Sequence, residues 1–285
     1  MESAQRAATT HQSPITGSMH IAVCVKQVAN PEVAASQFRI DDVAKIVEPM
    51  AGVPLVMSPF DEQAVEAALR IRELHAGTRI TVITLGAESA RNVLKHGLAL
   101  GADDGVLLSD AAFEGGDGHA TAVALSAALR KLGTVDLVLA GRQAADDDAG
   151  VVGIAIAQLL DMPAVSYAQD VQVADNTVRV ERVLDDGIEV VEAPLPALVT
   201  VSNELGEPRK PNLRETMRAA RKPVAVWSPV DLDLDAKNIG RAGARTATER
   251  VYAPVKESRC EQIAGATAAE QAAQLATKLR EAKLI

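Results

Sequence analysis

The sequence predicts an α/β fold: a doubly wound, mostly parallel sheet carrying an antiparallel extension and a C-terminal arm. Three observations predict it. From Met19 onward, short apolar runs alternate with amphipathic runs at helical spacing, a rhythm that favours right-handed βαβ crossovers. The chain of 285 residues is 48% hydrophobic but only 2% aromatic, so its core is built from Ala, Val, Leu and Ile, as suits strands covered on both faces. After Pro163 the period drops to two, with hairpin signals between the runs.

Each element follows in order. Residues 1–18, "MESAQRAATTHQSPITGS", are polar and small and read as a disordered extension, without the apolar core of a secretory signal. "HIAVCVK" (20–26) is a buried first strand, and "FRIDDVAKIVEPM" (38–50) a small hairpin insertion. "SPFDEQAVEAALRIREL" is a helix with Ser58 as N-cap, Pro59 at its first position and acids in its first turn. Its spacing turns Val65, Ala68, Leu69 and Arg72 inward and leaves Glu66, Arg70 and Glu73 towards solvent. "RITVITLG" is a strand, and the helix after it carries Val93, Leu94 and Leu98 on one face. "DGVLLSD" is a strand, "GHATAVALSAALRKLG" a helix closed by Gly133, and "VDLVLAG" a strand. "DAGVVGIAIAQLLDM" is apolar nearly all round and predicts a buried helix. Residues 164–202 alternate around "DN" and "DDG", an antiparallel extension of the sheet. A basic helix follows two prolines near Leu213. From Ser228 the chain is irregular and polar until a last helix with Ala272, Leu275, Ala276 and Leu279 in a stripe. The expected division is therefore 1–18, 19–227 and 228–285.

Composition excludes some functions. A net charge of −9 argues against a general nucleic-acid surface, which is basic. No apolar run approaches the ~20 residues that span a bilayer. Two cysteines, with Cys24 inside an apolar run, rule out a disulfide scaffold and fit a reducing compartment, the cytoplasm or, in a eukaryote, the mitochondrial matrix.

The segment "LAGRQAADDDAGVVG" (139–153) poses the main chemical question. Asp146, Asp147 and Asp148 suit a metal site, an acid/base centre, a helix cap or one wall of a nucleotide pocket. Three consecutive residues cannot all face one ion in regular structure, and no His or Cys stands nearby. Capping is a sufficient reading of the three alone. Their place at a strand end, among small residues and before a helix, suits a phosphate-bearing ligand. Neither G-x-G-x-x-G nor G-x-x-x-x-G-K-[ST] occurs, so no dinucleotide or NTPase fingerprint applies. The second candidate is "NELGEPRKPNLRETMRAARK", where a basic run presents Leu213 and Met217, four residues apart. It reads either as a solvated helix face or as a docking element. No His or Cys stands in a nucleophile motif, and no catalytic or metal-ligating set emerges.

"IAVCVKQV", "MSPFDEQAVEAALRIRE", "GLALGADDGVLL", "DLVLAGRQAADDDAG" and "LPALVTVSNELGEPRKPNLRETMRAARKPV" together resemble the electron transfer flavoprotein β subunit, from about Met19 to about Trp227. The resemblance implies an adenine-nucleotide α-hydrolase-like domain whose C-terminal arm embraces an α subunit holding most of the redox FAD. It implies a structural AMP pocket at Cys24, at Ser58, Pro59, Phe60 and Asp61, at Leu85, and along Gly141, Arg142, Gln143, Ala144, Ala145, Asp146, Asp147, Asp148, Ala149, Gly150, Val151 and Val152. It also implies that a loop of about 203–222 docks flavin dehydrogenases, such as the acyl-CoA dehydrogenases of fatty-acid β-oxidation, through Leu213 with Arg214, Met217 and Arg218 beside it. Electrons then pass to a quinone oxidoreductase, so the chain is a carrier rather than an enzyme.

The turn departs from the family's usual "D-D-D-S-N-Q-T-G", because Ala149, Gly150, Val151 and Val152 supply no polar side chain for a phosphate. In the bifurcating and nitrogen-fixation relatives the turn reads like "D-G-D-T-A-Q-V-G" and the site holds a second FAD. Val152-Gly153 matches that form, whereas Asp147 matches the AMP form. The competing class is a stand-alone adenine-nucleotide-binding module, which leaves the Leu213 loop unexplained.

Overall fold

A computed structural model describes residues 18–253 and 260–285. The expected N-terminal extension therefore lies outside the described residues except for Ser18. Among the described residues one compact unit comprises the chain up to Arg39 together with Val47–Glu249, and the other Ile40–Ile46 with Arg250–Ile285.

The larger unit is built on strand β1 (His20–Cys24), whose side chains alternate between two cores. Ile21 and Val23 enter one, Ala22 and Cys24 the other. Short strands β2 (Gln27–Ala29) and β5 (Leu55–Met57) pair antiparallel, and β3 (Phe38–Asp41) pairs with β4 (Ile46–Pro49) as the expected hairpin. Helix α1 (Pro59–Leu74) returns the chain to β6 (Arg79–Leu85), α2 (Arg91–Leu100) to β7 (Asp104–Leu108), and α3 (Gly118–Leu132) to β8 (Leu137–Gly141). Helix α4 (Val152–Leu160) then leads into a meander of β9 (Ala164–Ala174), β10 (Thr177–Leu184) and β11 (Gly187–Pro194), followed by β12 (Ala197–Val201). Helix α5 (Leu213–Arg221), β13 (Ala225–Trp227) and the short α6 (Gly240–Gly243) complete this unit, and α7 (Ala268–Glu281) belongs to the other.

The nine-stranded sheet runs β11-β10-β9-β12-β8-β1-β6-β7-β13. From β1 the chain winds outward through β6 and β7, then crosses to the other side of β1 to lay down β8 and β12. Each neighbouring pair from β9 through β12, β8, β1, β6 and β7 to β13 is parallel, whereas β9, β10 and β11 pair antiparallel. Helices α1 and α2 cover one face and α3 and α4 the other, giving two apolar cores. The β9–β10 hairpin turns on Asp175 and Asn176, both left-handed at φ 47° and 61°, as a two-residue turn between twisted strands requires.

Several expectations fail for definable reasons. Ser58 occupies the N-cap position of α1, but its side chain makes no capping bond. Glu66 is only 5% exposed, although its helical spacing places it towards solvent; a later loop packs over that face. Helix α4 begins at Val152 and buries only Gly153, Ile156 and Ala157, leaving Val151 and Ile154 exposed at 49% and 41%. Apolarity all round therefore does not bury it. The chain leaves the larger unit after Glu249 rather than after Trp227, because Leu232 and Ile239 are buried in the core beside α3. In the smaller unit, α7 is capped by Thr267, and none of its residues is buried.

Candidate functional site

Strands β1 and β8 diverge in connection at the point where the sheet reverses its winding, and ligands of open α/β sheets bind in the crevice outside such carboxyl ends. A cleft of about 310 Å³ opens there. It is lined by Cys24 at the end of β1 and Lys26 beyond it, Asp61 of α1, Leu85 at the end of β6, Gly141 at the end of β8, and Arg142, Gln143, Ala144, Asp147, Ala149, Gly150, Val151 and Val152 through the β8–α4 turn. The structure thus brings together most of the residues expected to form the pocket.

Others expected there lie elsewhere. Ser58 is buried at the N-cap of α1, Pro59 is exposed at its start, and the half-buried Ala145 and the exposed Asp146 and Asp148 are not part of the cleft's lining. Phe60 packs its ring against the Arg142 guanidinium, 5.1 Å from the ring centroid, and Tyr167 flanks the same guanidinium at 5.8 Å, both within cation–π range. The cleft also includes residues that the sequence did not single out: Gly116, Asp117, Gly118, Thr121 and Leu125 around the start of α3. Their signal was the "GGDGH" before a helix, which a long loop separates from the strand end it serves.

The floor is an arrangement of backbone amides around one buried carboxylate. Asp61 accepts the Lys26 N–H at 2.7 Å on Oδ2 and the Gly141 N–H at 3.0 Å on Oδ1, joining the ends of β1 and β8 where the ladder between them stops. Burial pushes its pKa up to about 7, against the pull of those two hydrogen bonds and of Lys26. Burial, with the Asp61 charge beside it, pushes the Cys24 thiol up to about 12, so this cysteine is an apolar wall rather than a nucleophile. A Cβ at Gly141 would stand 2.6 Å from Asp61 Oδ1 and 2.8 Å from the Phe60 backbone. Glycine is required there by space, not by a positive φ.

The three aspartates have three roles, and none caps α4. Asp146 pairs with Lys26 Nζ at 2.7 Å and Asp147 with the same nitrogen at 3.4 Å. Burial pulls the Lys26 pKa down, but these bonds and charges more than offset it and leave it raised. Asp147 also accepts the Ala149 N–H at 3.1 Å, and Asp148 accepts Gln143 Nε2 at 2.7 Å. Asp148 is left-handed at φ 51° and Gly150 at φ 63°, so the chain turns twice between the acids and the helix. No side chain caps α4. Among the described residues no group of three or more His, Cys, Asp or Glu is disposed to hold a metal ion.

These features fit the phosphate end of an adenine nucleotide. The α4 N-terminus, free of any capping side chain, opens onto the cleft with its N–H groups and positive dipole end. Arg142 lines the cleft, and its Nε is buried without a hydrogen-bond partner among the described residues. Across the cleft Asp117 caps α3 through Ala120 and holds the Arg245 and Thr246 amides at 2.8 Å. Burial raises its pKa, but those bonds and the Thr246 hydroxyl outweigh it, keeping the carboxyl well below the usual range.

The second candidate lies away from the cleft. Residues Asn203–Leu205 form a 3-10 turn, and Asn212 caps α5 in a capping box with Glu215. Ala219 is the one buried residue of α5, while Leu213 and Met217 are 76% and 56% exposed; Arg214 and Arg218 lie exposed beside them.

A family model described as the electron transfer flavoprotein domain matches residues 50–232. The caffeyl-CoA reductase-Etf complex subunit CarD of Acetobacterium woodii is 39% identical over 267 residues, covering 94% of this chain and 100% of that relative. The electron transfer flavoprotein subunit beta of Megasphaera elsdenii is 39% identical over 246 residues, covering 84% and 89%. Protein FixA of Azorhizobium caulinodans is 38% identical over 244 residues, covering 83% and 85%. Among the described residues no helix is long and apolar enough to cross a membrane.

Proposed function

Because the chain belongs to the electron transfer flavoprotein domain family, we propose that it is the β half of a heterodimeric electron carrier, cradling AMP in its strand-end cleft. The observation that carries this reading is the cleft at the β1/β8 switch point, with the uncapped start of α4 and Arg142 both in its lining. Its volume of about 310 Å³ stands at the lower end of small-molecule sites, roughly 300–1,000 Å³, and suits a mononucleotide. Backbone amides of the α4 start and Arg142 hold the phosphate, in place of the polar side chains that Val151 and Val152 do not provide.

An α subunit holds most of the redox FAD, which accepts and releases the electrons. This chain's residues give that partner a fixed surface, with α7 and the arm from Arg250 onward embracing it. The exposed Leu213 anchors flavin dehydrogenases, with Arg214 and Arg218 steering the encounter and Met217 widening the apolar contact. Acyl-CoA dehydrogenases are the donors and a quinone oxidoreductase the acceptor. The relative named as part of a caffeyl-CoA reductase complex supports a partner that acts on coenzyme A thioesters.

A second reading places a second FAD in the cleft. It is favoured by Val152-Gly153, which matches the turn of the bifurcating and nitrogen-fixation branch, and by the FixA relatives. Co-expression with an α subunit, acid release and chromatography of the purified complex separate the two. One FAD and one AMP per heterodimer support the first reading; two FAD and no AMP support the second. A colourless β chain with no affinity for α overturns both.

A further inference from the structure

We propose that Glu66 is a positioning residue for partner docking, holding the loop before α5 in one orientation so that Leu213 is presented ready to bind. The proposal rests on the reading of Leu213 as the docking anchor.

A carboxylate buried this deeply is costly unless ion pairs and hydrogen bonds satisfy it. Glu66 Oε1 accepts Arg70 Nε at 2.9 Å and Arg209 Nη2 at 3.2 Å. Its Oε2 accepts Arg209 Nε at 2.7 Å and the Arg209 backbone N–H at 3.3 Å. Burial raises its pKa, but the Arg209 and Arg70 bonds outweigh that and keep it charged, below the usual carboxylate range. The fork that satisfies Glu66 therefore comes from the loop, 143 residues away in sequence. The same face of α1 takes two more loop contacts: Gln63 Nε2 donates to the Gly206 carbonyl at 2.7 Å, and Arg70 Nη1 to the Leu205 carbonyl at 3.0 Å. Arg209 Nη1 also reaches Glu73 at 2.8 Å.

From this clamp the chain has little freedom before the anchor. Pro208 and Pro211 flank Arg209 and fix their own φ angles, and Asn212 is closed in its capping box. The far end of α5 is tied as well: Lys95 Nζ donates to the Ala219 and Ala220 carbonyls at 3.2 and 3.0 Å, and Lys222 Nζ to the Ala102 carbonyl at 2.7 Å. A helix held at both ends, with its apolar residues exposed, is the arrangement that lowers the ordering cost of binding. Nothing in the clamp lines the nucleotide cleft.

The test uses the complex co-expressed with the α subunit and an acyl-CoA dehydrogenase as electron donor. In Glu66→Gln the KM for the carrier is expected to rise about tenfold, the loss of one well-ordered contact set, with kcat and nucleotide content unchanged. Hydrogen exchange at 205–212 should quicken in the same variant. Arg209→Gln, which removes the fork from the more exposed side, should show the same split and serves if Glu66→Gln folds poorly. An unchanged KM or unchanged loop exchange in both variants, while Leu213→Ala still raises KM, overturns the proposal and leaves the docking reading intact. An unchanged KM in Leu213→Ala overturns the docking reading, and the proposal with it.

Discussion

Asp61 shows how one side chain can set the geometry of a cleft. Its two oxygens bridge β1 and β8 beyond the last ladder pair between them. The position conflicts with its charge, because burial raises the pKa to about 7, well above the ~3.9 of an unfolded Asp. Between those values the folded state binds the proton that the unfolded state has lost, so this group's contribution to stability falls as pH rises through the window and is level above it. Asparagine has nothing to titrate there. The stability difference between wild type and Asp61→Asn should therefore shift in favour of the variant by on the order of 2 kcal/mol from pH 5 to pH 8. Urea melts at the two pH values measure it, and a difference constant with pH removes the raised pKa. The residue was legible as a site candidate through the family resemblance. Its two partners were not, since Gly141 lies 80 residues away.

At the scale of the element, the triple aspartate and α4 show where local pattern misleads. Acids before an apolar run signal an N-cap, yet two left-handed residues, Asp148 and Gly150, end the acidic turn before the helix begins. The helix start is left uncapped at the cleft, where a phosphate suits it. Helix α5 is the opposite case: "NLRE" spells a capping box, and the structure contains one. Asn212→Ala should cost α5 about 1 kcal/mol. Exchange of the Glu215 and Thr216 amides should then quicken about fivefold; unchanged exchange would mean that the ties at Lys95 and Lys222 alone hold the helix.

For the whole molecule, the decisive feature is the reversal of winding at β1. Two parallel half-sheets built outward from one strand leave a crevice only at that strand's carboxyl end, and the cleft is found there. The boundary after Glu249 adds a second expectation. A chain ending at Glu249 should keep its cooperative melt, because the larger unit has its own two cores, but fail to retain the α subunit on co-expression. Coelution of the shortened chain with α would exclude the arm from the interface.

The sequence by itself determined the class of fold, the order of strands and helices, the hairpins, the strand-end location of the cleft and the family. Those properties are written in periodicity, turn residues and short motifs, which act between neighbours along the chain. Only the tertiary structure decided that Glu66 is buried under a distant loop, that Phe60 stacks on the Arg142 guanidinium, that Asp117 completes the far wall, and that Asp146, Asp147 and Asp148 do not cap α4. Each of those depends on pairs brought together by sheet winding and loop closure, and such long-range packing leaves no periodic trace in the residues that take part.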